Sequence, residues 1–140
     1  MTERSLIDTG PLVGLYHDED PHHARCRAAL AQFRPPLLTC WPVLTEAAWL
    51  LRKRPDAFQA IVDGFATGLF ALPPLDGGDL NGIAAIMARY QSAGIQLADA
   101  TLAFLADRES IRTVFTTDRR DFSIIRLKRN RTLKLIPDSQ

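Results

Sequence analysis

Short apolar runs, each followed by a stretch with helical periodicity, restrict this chain more than any other feature. Ser5-Leu6-Ile7-Asp8, Leu37-Leu38-Thr39-Cys40, Leu69-Phe70-Ala71-Leu72 and Thr113-Val114-Phe115-Thr116 are apolar on both faces, or nearly so. A strand that stands in water on one side alternates; one covered on both sides does not. Between these runs the spacing predicts helices. One follows the turn Thr9-Gly10-Pro11, with Pro11 suited to a first helical position. The next starts at Asp20-Pro21 and stops before Pro35-Pro36; another opens at Pro42 and ends near Arg54-Pro55. A further helix covers residues 57–65 and closes at Gly68. Leu80, Ile83, Ala84, Met87 and Tyr90 share one helical face, with Gly94 as the stop. Residues 98–106 are apolar nearly all round, which marks a buried helix. Leu133-Lys134-Leu135-Ile136 reads as a fifth, edge strand before Pro137. Strands and helices in alternation, joined by right-handed crossovers, give a three-layer α/β/α sandwich around a parallel sheet of about five strands. The 140 residues suit a single domain, 1–140, and no repeat, low-complexity segment or linker divides them.

In such sheets the functional crevice lies outside the carboxyl ends of the strands. Asp8 directly follows the first strand, and Asp118 follows Val114-Phe115-Thr116-Thr117. Glu46 shares a helical face with Val43, Ala47 and Leu50, on or beside a stripe that should pack inward. Asp99 opens the helix that is otherwise almost entirely apolar. Each acid has a bland role available: a turn for Asp8, an arginine partner for Glu46, the helix macrodipole for Asp99, an Asx-turn for Asp118. Together they are harder to dismiss. No cation occupies the core-facing positions of the same segments. Four carboxylates converging on one crevice would repel strongly. A divalent cation resolves the conflict, and hard oxygen ligands without a nearby histidine or cysteine select Mg2+ or Mn2+ over zinc.

Net charge is +1, from 17 basic and 16 acidic residues, which alone does not announce a nucleic-acid binder. The distribution says more. Arg119, Arg120, Arg126, Lys128, Arg129, Arg131 and Lys134 crowd the C-terminal end, either as a phosphate-binding flank or as a solvated surface. Cys26 and Cys40 form no CxxC pair and read as small core residues. His17, His22 and His23 match no standard zinc spacing, and Asp20-Pro21 already explains that stretch as a helix start. Trp41 and Trp49 flank Glu46 and read as core or dimer packing, with base stacking as the other possibility. No run is apolar enough to span a bilayer, and residues 1–4 carry no apolar signal segment, so a cytoplasmic protein is expected.

Four blocks, in order, carry a family resemblance: Leu6-Ile7-Asp8-Thr9-Gly10-Pro11-Leu12, Val43-Leu44-Thr45-Glu46, Leu97-Ala98-Asp99-Ala100 and Thr116-Thr117-Asp118-Arg119-Arg120-Asp121-Phe122. The chain resembles the PIN-domain ribonucleases, and most closely the VapC-like toxins of bacterial toxin–antitoxin pairs, over almost its whole length. The resemblance implies strand order 3-2-1-4-5. It implies Asp8, Glu46, Asp99 and Asp118 as the acidic catalytic quartet holding Mg2+ or Mn2+, with Thr117 where the family often has a hydroxyl that orients the site. It further implies endonucleolytic cleavage of RNA, homodimerisation, and inhibition by a small antitoxin. Thr9 either helps hold Asp8 or serves only the turn. Asp121 is either an extra acid near the metal or a helix-start or turn residue. Arg119 and Arg120 suit phosphate contact, against surface solvation or a bridge to Asp121.

Three other readings compete. Asp8-Thr9-Gly10 is also the tripeptide of aspartic proteases, but a small protease of that kind would be rich in β-structure. The same fold could serve as an RNA- or protein-binding scaffold without turnover, although the intact acids argue against it. A response-regulator receiver would need an acid pair near the first strand and a lysine after the last, and neither is evident.

Overall fold

The computed structural model describes residues 3–138, so part of the N-terminal stretch lies outside the described residues. Strands β1 (Ser5–Ile7), β2 (Leu37–Leu38), β3 (Phe70–Ala71), β4 (Thr113–Phe115) and β7 (Lys134–Ile136) form one parallel sheet, ordered β3-β2-β1-β4-β7. With β7 as the fifth strand expected from the sequence, the order is the implied 3-2-1-4-5. Leu6 faces Leu38 on one side and Val114 on the other, which makes β1 the central strand. Its residues are buried because helices cover both faces of the sheet.

Helices α1 (Thr9–Tyr16), α2 (His23–Leu30), α3 (Trp41–Leu50) and α4 (Pro55–Ala66) connect β1 to β2 and β2 to β3, and α1 packs against the other three. Helices α5 (Leu80–Arg89) and α6 (Leu97–Glu109) carry the chain back across to β4. Right-handed crossovers in opposite directions place these two sets on opposite faces. In α6, Leu102, Ala103, Leu105 and Ala106 are buried, in keeping with its all-round apolar sequence. Among the described residues no helix is long and apolar enough to cross a membrane.

Several boundaries differ from the sequence reading, for local reasons. Helix α1 begins at Thr9 rather than Pro11, because Leu12 N–H already bonds the Asp8 carbonyl and Pro11 has no amide to leave unpaired. Helix α3 stops at Leu50, and Pro55 starts α4 instead of merely ending its predecessor. Helix α2 begins at His23, after the Asp20 carboxylate accepts from the His22 amide. Sequence periodicity predicts no element between Asp118 and Leu133. That stretch holds helix α7 (Arg119–Ile124) and an antiparallel hairpin of β5 (Arg126–Leu127) and β6 (Arg131–Thr132). Both are short and rich in charge, so no apolar period betrays them. Phe122, Ile125 and Leu127 alone anchor the segment in the core. The Asp8-Thr9-Gly10 tripeptide begins a helix within an α/β fold, which removes the aspartic-protease reading.

Candidate active site

Three helix starts meet at the carboxyl end of the sheet. Asp8 occupies the position before α1, Asp118 the position before α7, and Asp99 lies in the first turn of α6. Neither Asp8 nor Asp118 caps the helix it precedes. Their carboxylates are thus available to the crevice, and the bland turn and cap roles do not account for them. Glu46 reaches the same crevice from α3. It is exposed, and stands beside the buried face formed by Val43, Leu44 and Ala47 rather than within it.

The pocket these elements enclose is lined by Asp8, Glu46, Asp99 and Asp118, the four acids singled out from the sequence. Asp121 contributes a fifth carboxylate, and Thr9, Thr117 and Arg120 complete the polar wall. Leu50 and the Gly94 region form its lip.

Hydroxyls fix two of the acids. The Thr9 hydroxyl donates to Glu46 Oε1 at 2.7 Å, while the Thr9 amide serves the Asp8 carboxylate, so Thr9 touches both acids. The Thr116 hydroxyl donates to Asp8 Oδ2 at 3.0 Å and accepts from the Asp118 amide at 2.9 Å. One side chain therefore ties the first acid to the loop that carries the fourth. The family resemblance puts this orienting role at Thr117; the structure gives it to Thr116, which sequence reasoning misses. A signal existed: a threonine two residues before an acid can accept its amide in an ST-turn. Thr117 itself lies against Gly10, where any Cβ would overlap its hydroxyl. Gly10 is thus required for close approach of the α1 start and the β4–α7 loop.

Electrostatics mark the crevice. Burial pushes the Asp8 carboxyl up to about 6, with Glu46 and Asp118 adding to the rise, while the Thr9 amide and the Thr116 hydroxyl hold it down. Asp99 is raised to about 7, first by burial, then by Asp8, Asp121, Asp118 and Glu46. Among the described residues no lysine or arginine forms an ion pair with Asp8, Glu46, Asp99 or Asp118; Arg120 approaches Asp121 at 3.9 Å and is 91% exposed. Cys40, close enough for Asp8 and Asp99 to disfavour its thiolate, is pushed up to about 12, chiefly by burial. It offers no thiolate chemistry here.

The donor set fits a hard divalent cation: carboxylate oxygens in excess, uncompensated, and partly protonated without one. It is not a closed cage. Among the described residues no three histidine, cysteine or acidic side chains stand as a ready coordination sphere. Mg2+ keeps several waters and needs few direct carboxylates, so an open arrangement suits it better than a closed one.

Two expectations change in position. Arg119 does not line the crevice. Its guanidinium donates to the carbonyls of Leu135 and Pro137 at 3.2 and 2.7 Å, bracing α7 against the end of β7. Trp41 and Trp49 are not core residues of this chain: they are 68% and 63% exposed on the outer side of α3, with the Arg52 guanidinium over the Trp49 ring. The helix period that buries Val43 and Ala47 turns both indoles to solvent.

Ribonuclease VapC26 of Mycobacterium tuberculosis is 32% identical to this chain over 123 residues, 86% of this chain and 91% of that protein. The chain belongs to the VapC ribonuclease family. No model of a protein family matches it. The fold of this VapC-family chain recurs in the crystal structure of VapC20 of Mycobacterium tuberculosis, described as a toxin cleaving the sarcin-ricin loop. That match has a TM-score of 0.70 at 18% identity, over 83% of this chain and 91% of that one. It recurs again in a toxin–antitoxin complex from Klebsiella pneumoniae, with a TM-score of 0.63 at 20% identity, over 86% and 92% of the respective chains. At those identities the likeness concerns the VapC fold alone.

Proposed function

We propose that this VapC-family chain is a Mg2+- or Mn2+-dependent endoribonuclease, hydrolysing RNA phosphodiester bonds as the toxin of a toxin–antitoxin pair. The observation that carries the reading is the crevice itself: Asp8, Glu46, Asp99 and Asp118 line one pocket with no ion-pair partner among the described residues, and only Asp121 beside them meets a cation, Arg120. Membership of a ribonuclease family supports the activity. The name of VapC20 and the Klebsiella complex support the toxin role and a small antitoxin partner for a chain of this kind.

Asp8, Glu46, Asp99 and Asp118 would hold the ion. When bound, it supplies charge neutralisation for the scissile phosphate and a water acidified toward attack. Thr116 and Thr9 set the orientation of Asp8 and Glu46 before any ligand arrives. Arg120, exposed at the crevice, offers a phosphate contact that Arg119 cannot. Arrangement as a homodimer is proposed from kinship. The exposed indoles of α3 agree with a surface that a partner covers. A scaffold without turnover would not need this many uncompensated acids.

Incubation of the purified chain with total RNA, with and without Mn2+ and beside Asp8→Ala, tests the proposal. Cleavage that needs the metal and vanishes in Asp8→Ala is expected. Cleavage that persists in excess chelator would refute the metal dependence, and none under any divalent cation would refute the nuclease.

A further inference from the structure

The basic cluster noted in the sequence does not stay together in the fold. Arg119 braces β7, Arg120 stands at the acidic crevice, and Lys134 lines a hollow with Glu3 at the opposite end of the sheet. The rest converges elsewhere. Lys128, Arg129 and Arg131 on the β5–β6 hairpin join Arg112 around a polar cavity below the end of α6. A neighbouring groove, shared through Leu127 and Lys128, adds Arg126 and Arg89. All six are exposed. Among the described residues the only acid lining this surface is Asp107, and its carboxylate already accepts from the Lys128 amide at 2.9 Å. None of the residues lining the acidic crevice lines either hollow.

The hairpin turn is also held in an uncommon backbone. Arg129 and Asn130 have φ values of 62° and 60°, the left-handed region. Asparagine tolerates that region; arginine enters it rarely and at a cost. The bond from the Lys128 amide to Asp107 joins the turn to α6. The left-handed residues belong to the hairpin turn, and what that turn does is hold Lys128, Arg129 and Arg131 on one short projection beside Arg112. The result is a surface of six exposed cations with one acid among them, a charge pattern that attracts a polyanion.

We infer that the β5–β6 hairpin, through Lys128, Arg129 and Arg131 with Arg112, is a second RNA-binding site that grips the phosphate backbone of a structured substrate away from the acidic crevice. The inference rests on the ribonuclease reading for the identity of the polyanion. It assigns the hairpin no chemistry. It assigns it the reach that separates a folded RNA, long enough to touch both sites, from a short strand that fills only the crevice.

The test uses the full chain and the variant Lys128→Gln/Arg129→Asn/Arg131→Gln, in which asparagine suits the left-handed position. Binding of a long stem-loop RNA and of a short single-stranded oligonucleotide is titrated against salt without divalent metal. The variant should melt like the parent, bind the oligonucleotide equally, and weaken on the order of tenfold in stem-loop affinity at moderate salt. Its log–log salt slope should fall by roughly 0.7–0.9 for each phosphate that the hairpin no longer neutralises. Unchanged stem-loop affinity and slope overturn the inference. So does a variant that keeps RNA binding but no longer binds poly-glutamate, because the face then belongs to an acidic protein segment. Should the hairpin itself depend on the charges, Arg112→Gln, outside the turn, must reduce the same slope. Because binding is read without turnover, failure of this site and failure of the nuclease reading are separable.

Discussion

Asp99 carries the sharpest consequence of crowding. Its carboxyl is raised to about 7 by burial and by four acidic neighbours. Asp99→Asn should abolish metal-dependent cleavage yet leave the fold intact, and should raise the melting temperature of the metal-free chain by removing like-charge repulsion. RNA cleavage assays beside thermal melts in chelator check both halves; wild-type turnover would remove Asp99 from the site. Thr116 is a positioning residue, acting on metal and substrate only through Asp8 and the Asp118 loop. Thr116→Val should weaken Mn2+ binding, whereas Thr116→Ser should restore it, since the hydroxyl and not the methyl makes both bonds. Arg119 and Arg120, adjacent in sequence, should separate cleanly. Arg119→Ala loses charge-assisted bonds to two carbonyls and should cost about 1.5–3 kcal/mol in denaturant unfolding. Arg120→Ala should leave stability alone and lower the salt slope of RNA binding.

Among the elements, the start of α1 and the loop between β4 and α7 behave as one unit. A Cβ on Gly10 would overlap the Thr117 hydroxyl, so Thr117 must turn that hydroxyl away from its present place in the crevice wall to admit it. Gly10→Ala should therefore destabilise the chain by about 1–3 kcal/mol, as overpacking does. It should also impair cleavage beyond what the lost stability explains, because Asp8 and Asp118 move apart. Measuring residual activity well below the melting transition distinguishes the two effects. The α3 helix divides its labour by face: Val43 and Ala47 pack inward, Glu46 meets the crevice, and Trp41 and Trp49 point outward. A single 3.6-residue period thus serves core, site and surface.

At the scale of the whole molecule, the crevice sets how stability responds to pH. In the folded, metal-free chain Asp8 ionises near pH 6 and Asp99 near pH 7, against 3.8 for both when unfolded. Between those values the folded chain holds protons that the unfolded chain has released. The contribution is fully present below pH 3.8 and is lost as pH rises through 6 to 7. Asp8, 6% exposed, accounts for about 3 kcal/mol of that loss, and Asp99, more open to solvent, for less than its shift suggests. Melting in chelator should therefore be higher at pH 5 than at pH 8, and Mg2+ should raise the melting temperature more at pH 8. A melting temperature that does not move between the two pH values would contradict the uncompensated crevice.

What the sequence determined by itself is what periodicity and strand-end position encode. Apolar runs on both faces required a covered parallel sheet; acids at strand ends and a helix start named Asp8, Asp118 and Asp99, and an acid beside an apolar helical stripe named Glu46. These signals are local, since each residue's neighbours along the chain set its face. Only tertiary structure decided that Thr9 holds Glu46, across 37 positions, and that Thr116 rather than Thr117 binds Asp8, across 108. It alone sent Arg119 to β7, Arg120 to the crevice and Lys128, Arg129 and Arg131 to a separate hairpin. Seven cations in one stretch look alike along the sequence; their surroundings differ because packing, not chain order, chooses each side chain's partner.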